Sequence, residues 1–502
     1  MTNNKQIYIS VEPHEKRLAI VKDKCLEKYY VERPQDAQIL GNIYKGRVAS
    51  VVNGIAAAFV DLGIGKNGFL HLSDLVKPSE GYEDILQEDE GTVLIKEDKK
   101  PGGRIGDLIK NGQDLIVQVA KEALGSKGVR ITSHIALPGR YLVFMPYEDH
   151  LGVSKRISDP SERRRIKEVL KEIRIPKGVG IIVRTAGEHC GKKEFITDIK
   201  YLTRLWKNIQ AHSGRAKSPA IIHQEYDIIL RILRDQLSEE IDAIYVDSPP
   251  EFKRIRHFIG MLMPKFKNKL KLYTGSKPLF EDMGIDRDIE KIYNRTVYLK
   301  CGGYITIEQT EGLVAVDVNS GKFKGKKGPR EMALRVNVEA AQEAARQIHL
   351  RNLGGIVIID FIDMDSKGER DQVFATLVEA MKEDKAKTNI LPISEIGIVQ
   401  LTRQRVTKSL EGISYSACPC CHGKGLVKSA STMAIKALRE VYSKLNGRKG
   451  VSVSITAHPD VAAKLSGDFA DSITRLERQL RSRINVKGDS SLHLEELRIV
   501  TG

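Results

Sequence analysis

The chain contains no apolar run approaching the ~20 residues needed to cross a bilayer, so a helical membrane protein is not expected. Its first residues, MTNNKQIYIS, alternate like a strand and lack the apolar centre of a secretory leader. Cysteine is scarce, with six in 502 residues. That suits a reducing compartment, so the expected location is the cytoplasm. No G-x-x-x-x-G-K-[ST] occurs, and SGKFKGKKG fails the pattern despite being basic and glycine-bearing, so a P-loop NTPase is not expected. No fixed-period repeat is present. A second C-x-x-C is missing as well. Cys418 and Cys421 have the gap that wraps a tetrahedral metal, with Cys420 between them, but a closed structural zinc site needs four ligands. Cys25, Cys190 and Cys301 are isolated and far away in sequence. The pair is therefore either a redox dithiol or half a site completed by another molecule. His422 is a candidate third ligand, though its adjacency to Cys421 makes joint tetrahedral binding awkward.

What the chain does have is positive charge. Its 81 basic and 65 acidic residues leave a net charge of +16, which points to a polyanionic partner, most simply nucleic acid. A length of 502 residues exceeds one core, and a hydrophobic content of 41% is that of a globular protein. Residues 1–37 read as short strands too few to close a core, so they are expected to join a later segment, with 230–292 as the candidate. Residues 38–125 carry short alternating strands with Asn53-Gly54 and Asn67-Gly68 turns, the spacing of a small closed OB-type barrel. There Phe59 and Phe69 stand among Lys45, Arg47, Lys66 and His71, which suits a stacking platform for single-stranded bases. The same two rings could instead fill the barrel. The charged insert between Pro78 and Gly103 reads as a solvated loop.

In 126–229 the run Ile181–Val183 enters a glycine turn at Arg184 and Thr185, an arginine and a hydroxyl able to hold a phosphate. The alternative is an ordinary surface pair. In 293–415, GLVAVDVNSGK and GIVIIDFIDMD read as strands joined through a helix from Pro329 to about Leu350, a crossover with parallel strands. Asp317 and Asp360 lie near the ends of these strands, with Asn319 on the face of Asp317. Close together at the carboxyl edge of one sheet, they would suit hydrated Mg²⁺ and metal-assisted phosphodiester hydrolysis. Asn319 would orient the phosphate, and Lys322, Lys324, Lys326 and Lys327 would attract the nucleic-acid backbone. Asp363 and Asp365 are further ligand candidates or solvated turn residues. Residues 416–425 form a cysteine knuckle and 426–502 a small separate α/β unit.

The segments GFLHL, VRTAG, CGGYITIEQTEGLVAVDVNSG, RNLGGIVIIDFIDM, LTRQR and CPCCHGKG resemble the bacterial ribonuclease E/G endoribonucleases, in order and over essentially the whole chain. No long arm follows the last small unit, so the resemblance is to the short form without a degradosome scaffold. It implies a multidomain α/β protein. Residues 1–37 with 230–292 would be an RNase H-like core split in sequence and lacking its own active site. Residues 38–125 would be an S1-type OB domain, 126–229 a 5′-sensor region, 293–415 a DNase I-like catalytic domain and 416–425 a zinc-link. It implies Asp317 and Asp360 as Mg²⁺ ligands and Asn319 as the residue that orients the scissile phosphate. Phe59 and Phe69, with Lys45, Arg47 and Lys322, would contact RNA. A 5′-monophosphate would be read by Arg184, Thr185, Gly139, Val143 and Arg156. One structural Zn²⁺ would be shared by Cys418 and Cys421 of two subunits across a two-fold axis, giving a homodimer and a possible dimer of dimers. The family has a non-cysteine residue where Cys420 stands, which leaves open whether Cys420 or Cys421 pairs with Cys418. The redox alternative needs a thioredoxin-like setting after a strand, and the sequence around Cys418 lacks one. The implied activity is Mg²⁺-dependent endonucleolytic hydrolysis of single-stranded RNA, stimulated by a 5′-monophosphate, in ribosomal RNA 5′-end maturation and messenger decay. A non-catalytic RNA-binding scaffold is the alternative.

Overall fold

A computed structural model describes residues 5–34, 39–75, 104–122, 128–310, 312–321, 329–382, 384, 386–404, 410–416, 418–421, 423–445 and 450–502. The charged insert 78–103, the lysines at 322, 324, 326 and 327, and His422 lie outside them. Two compact units divide at Met1–Glu411 and Gly412–Gly502.

In the first unit the strands Lys5–Glu12, Glu15–Lys22 and Cys25–Glu32 form an antiparallel meander. The first of them pairs in parallel with Ile241–Val246, which pairs in parallel with Leu270–Leu272. Segments 5–32 and 241–272 therefore share one five-stranded sheet. Ile7, Ile9, Leu18 and Ile20 alternate onto one face and pack against Ile229, Leu233, Ile255 and Ile259 from two helices. This hydrophobic contact is what joins segments some two hundred residues apart.

A barrel is built from Ile43–Val52, Ala57–Asp61, Gly68–His71, Asp114–Lys121 and Arg130–Thr132, and Ile43–Val52 closes it by pairing with Asp114–Lys121. The strand Arg130–Thr132 lies beyond the expected boundary at residue 125. It was missed because three residues carry too little alternation to be read as a strand. Ala58, Val60, Leu70, Val117 and Ile131 fill the interior. A four-stranded sheet follows, with Leu142–Pro146 lying between Leu137–Pro138 and Val179–Val183, and Leu151–Val153 on the outer edge. The helix Lys192–Arg215 covers it through Phe195, Leu202 and Trp206.

The last sheet of this unit has six strands, in the order Thr296–Tyr298, Tyr304–Gln309, Leu313–Asn319, Gly355–Asp360, Ile398–Arg403, Thr388–Ile390. Leu313–Asn319 and Gly355–Asp360 are parallel and joined through the helix Pro329–Leu350, while the other neighbours are antiparallel. Val314, Val316, Val318, Val357 and Ile359 point toward that helix and toward Lys367–Met381 and are buried. The alternate residues lie on the opposite, open face, so period-two alternation places Asp317, Asn319 and Asp360 there.

In the second unit Val453–Ala457 pairs in parallel with Ile484–Gly488 and antiparallel with Leu497–Thr501. The helices Ala430–Leu445, Pro459–Ser466 and Ala470–Leu480 accompany them around Val441, Ile455, Val461 and Leu465. No helix among the described residues is long and apolar enough to cross a membrane.

Candidate active site

Asp317 and Asp360 are register partners on adjacent parallel strands. Both are exposed on the open face of the six-stranded sheet. Asn319, two residues beyond Asp317 and on the same face, donates from Nδ2 to Asp317 Oδ2 at 2.6 Å. Partial burial raises the Asp360 carboxyl above its ordinary value, and the charges of Asp317 and Asp363 raise it further. Three acidic groups thus crowd one end of the strand pair, and such like-charge crowding is relieved by a cation. Asp365 is exposed. Among the described residues no ready-made group of three or more His, Cys, Asp or Glu side chains encloses a metal position.

Two positioning residues were missed in the sequence. Asn337 is fully buried, 0% exposed, in the apolar face of the helix Pro329–Leu350. Its amide donates to the Ile362 carbonyl at 2.7 Å and accepts from the Ile362 N–H at 3.0 Å, fixing the backbone between Asp360 and Asp363. Glu339 on the same helix accepts the N–H groups of Lys300 and Cys301 at 2.6 and 3.0 Å. The signal was present: an asparagine among Val336, Ala340, Ala341 and Ala344 needs a buried partner. The CGGYI motif has a steric cause, because a Cβ on Gly303 would stand 2.8 Å from the Asn319 carbonyl oxygen.

On the barrel, Phe59 and Phe69 are opposite each other on neighbouring strands, with ring centroids 5.9 Å apart and edge-on. His71 stacks beside Phe69 at 6.5 Å. The interior belongs to other residues, so the two rings are half-buried on the barrel's outer surface rather than filling it. Lys45 does not stand with them. Its Nζ donates to the Ser213 and Ala216 carbonyls at 3.1 and 3.0 Å, capping the end of the helix Lys192–Arg215, where a cation is favoured. The expectation that Lys45 contacts RNA gives way to this structural role. Arg47 is half-exposed, and its Nε donates to Asp114 Oδ1 at 3.0 Å. Lys66 is exposed in the turn before Gly68–His71.

Arg184 follows the strand Val179–Val183, and its Nη1 donates to the Gly139 carbonyl at 2.7 Å and to Asp235 Oδ1 at 2.8 Å. With only 12% of its side chain exposed, it is not an ordinary surface arginine. Asp235 is also held by Arg234, whose side chain is 1% exposed. Thr185 opens the short turn Thr185–Gly187, Val143 is buried on the adjacent strand, and Arg156 is exposed in the loop after Leu151–Val153. Gly139 has no room for a side chain, since a Cβ would meet the Asp198 carboxylate at 2.5 Å. That buried carboxylate accepts the backbone N–H groups of Arg140, Tyr141 and Leu142 and shapes the turn.

In the cysteine knuckle, Cys418 and Cys420 are exposed and Cys421 is half-exposed. Backbone N–H groups of Cys421 and Cys420 lower the Cys418 thiol below its ordinary pKa, which favours the thiolate form. Among the described residues no strand runs directly into the knuckle, and the next helix is Ala430–Leu445.

The model of the Ribonuclease E/G family matches residues 136–406, that of the S1 RNA binding domain 38–121, and that of the RNase E/G, Thioredoxin-like domain 417–502. The chain belongs to the ribonuclease E/G family. It is 37% identical over 495 residues to Ribonuclease G of Escherichia coli, covering 99% of each chain. It is 36% identical over 496 residues to Ribonuclease G of Haemophilus influenzae, again covering 99% of each. Against Ribonuclease E of Haemophilus influenzae the identity is 35% over 470 residues, which is 94% of this chain and 49% of that protein.

Proposed function

We propose that the protein is an endoribonuclease that hydrolyses single-stranded RNA at Asp317, Asp360 and Asn319, in ribosomal RNA 5′-end maturation and messenger decay. The observation that carries this reading is the direct pairing of Asp317 with Asp360 on an open sheet face. Two adjacent carboxylates with a third close by suit Mg²⁺, which takes oxygen ligands and keeps open positions. When bound, the ion lowers the pKa of a water and offsets the charge that builds on phosphorus. Asn319 holds Asp317 with one amide hydrogen and keeps the second for a phosphate oxygen. Hydrolysis with water attacking phosphorus leaves a 5′-phosphate and a 3′-hydroxyl. Phe59 and Phe69 offer rings to unpaired bases, and Arg47 and Lys322 add charge.

A terminal monophosphate is read at Arg184 and Thr185, with Gly139 and Val143 forming the wall and Arg156 contributing charge from its loop. Labelled single-stranded RNA should be cut with Mg²⁺ and spared in a chelator, and faster with a 5′-monophosphate than with a 5′-hydroxyl. Arg184→Ala should abolish that preference while hydroxyl-ended RNA is cut as before; an unchanged preference refutes the pocket. No cleavage of either RNA by the wild type would favour a non-catalytic RNA-binding scaffold.

The split five-stranded sheet reads as RNase H-like, supported by its strand order 3-2-1-4-5 in chain sequence. The six-stranded unit reads as DNase I-like on family grounds. Cys418 with Cys421 (or Cys420) supplies two thiolates to a Zn²⁺ completed by a second copy. The fit rests on one tight turn that carries Cys418, Cys420 and Cys421, with no group of three or more candidate ligands placed to hold a metal among the described residues. Metal analysis should give about one zinc per two chains, as four ligands shared between two copies require. One zinc per chain would reject sharing.

A further inference from the structure

Beside the carboxylates the open sheet face carries two tyrosines that the hydrolytic reading does not use. Register places Tyr298, Tyr304 and Asn319 in one row across three neighbouring strands. Thr296, Thr306, Asp317 and Asp360 form the next row on the same face. Strands lie ~4.8 Å apart and alternate residues ~6.7 Å apart. Tyr304 is therefore one strand from Asn319, and Tyr298 two. The rings of Tyr298 and Tyr304 are 6.0 Å apart and inclined by 57°. Tyr298 is 80% exposed and so offers a ring face to solvent.

We propose that Tyr298, backed by Tyr304, is a base-stacking subsite for an unpaired nucleotide adjacent to the scissile phosphate. The proposal rests on the hydrolytic reading of Asp317 and Asp360, and gives that site a contact to a base as well as to a phosphate. A phosphate at Asn319 leaves the neighbouring base within reach of a row of rings that starts one strand away. Aromatic side chains on an open sheet are a general way of holding unstacked bases, because every base has a π-face. The occupant must be single-stranded, since a paired base keeps its faces covered by its neighbours. Selectivity would follow stacking strength, with purines held better than pyrimidines at that one position. The Tyr304 ring lies 3.4 Å from where a Cβ on Gly321 would stand, so the turn after Asn319 backs the inner ring while Tyr298 remains free.

The test uses the full-length protein and single-stranded RNA carrying 2-aminopurine at successive positions around one cleavage site, read by fluorescence. Binding is measured in the Asp317→Asn background, so that the RNA stays intact. Quenching is expected at one position beside the cleavage site, lost in Tyr298→Ala and kept in Tyr298→Phe. In the cleaving enzyme, Tyr298→Ala should lower kcat/KM by ~10-fold or more, the scale of one aromatic–base stack. An abasic nucleotide at the quenched position should cost the wild type the same factor and cost Tyr298→Ala nothing further. Unchanged quenching in Tyr298→Ala, or losses that simply multiply, overturns the subsite. Failure of the hydrolytic reading looks different: the wild type leaves RNA uncut, whatever the fluorescence shows.

Discussion

Replacing Asp317 by asparagine is expected to reduce cleavage of 5′-monophosphorylated single-stranded RNA by ~10³-fold or more, which corresponds to about 4 kcal/mol of transition-state stabilisation. The substitution preserves shape and removes one of the two negative charges that act on the Asp360 carboxyl. Asp317 is exposed and its strand neighbours supply the core, so folding should be unaffected. RNA affinity should change little, because the aromatic pair on the barrel and the Arg184 turn remain. The loss should therefore fall on kcat, with KM nearly unchanged, as removal of a group acting mainly in the transition state predicts. Asp360→Asn should behave alike, and the double substitution should add little, since both groups serve one centre. Equal cleavage by wild type and Asp317→Asn removes the proposed site.

The second large effect is on stability, behind the same sheet. Arg403, 8% exposed, donates from Nε to Asp384 Oδ2 at 2.6 Å and from Nη1 to the Leu353 carbonyl and Asn352 Oδ1 at 2.8 and 3.0 Å. His349 Nε2 lies 3.2 Å from the same Asp384 oxygen. This cluster ties the end of the helix Pro329–Leu350 to the start of Gly355–Asp360 and the end of Ile398–Arg403. Arg403→Ala should cost about 3–5 kcal/mol, because it leaves the Asp384 carboxylate buried without its main partner. Joint replacement of Arg403 and Asp384 by apolar residues of similar volume should cost much less. Urea titration compares the two, and similar midpoints would show that the pair is not acting as a buried charge pair. Burial alone would raise the Asp384 carboxyl, but hydrogen bonds and charge from His349 and Arg403 hold it well below the ordinary range. A depressed folded-state pKa stabilises above the unfolded value and is lost as pH falls through the folded one. The contribution is thus complete at neutral pH and disappears only in strong acid.

Much of the six-stranded sheet could be read directly. VAVDV and IVIID are short apolar runs with an acid at or near the end, Pro329 opens a helix and NLGG closes it, and together they place Asp317 and Asp360 at the ends of two parallel strands. Lys45 was misread because composition shows a lysine near aromatics but not the helix end that its side chain reaches from elsewhere in the chain. The fifth barrel strand was missed for the same kind of reason. Arg130–Thr132 is a strand only because Gly68–His71 and Asp114–Lys121 pair with it. Asn337 likewise acquires meaning only from a partner distant in sequence, and Asp235 is joined by the distant Arg184 as well as by its neighbour Arg234.

Local pattern alone determined which residues alternate, where helices start, and which strand ends carry acids, because these depend on backbone geometry and neighbours a few positions away. Tertiary structure decided which strands become neighbours, which face stays open, and which charges are already neutralised. Those outcomes depend on burying apolar surface between segments far apart in the chain, a free energy that no short window of sequence contains.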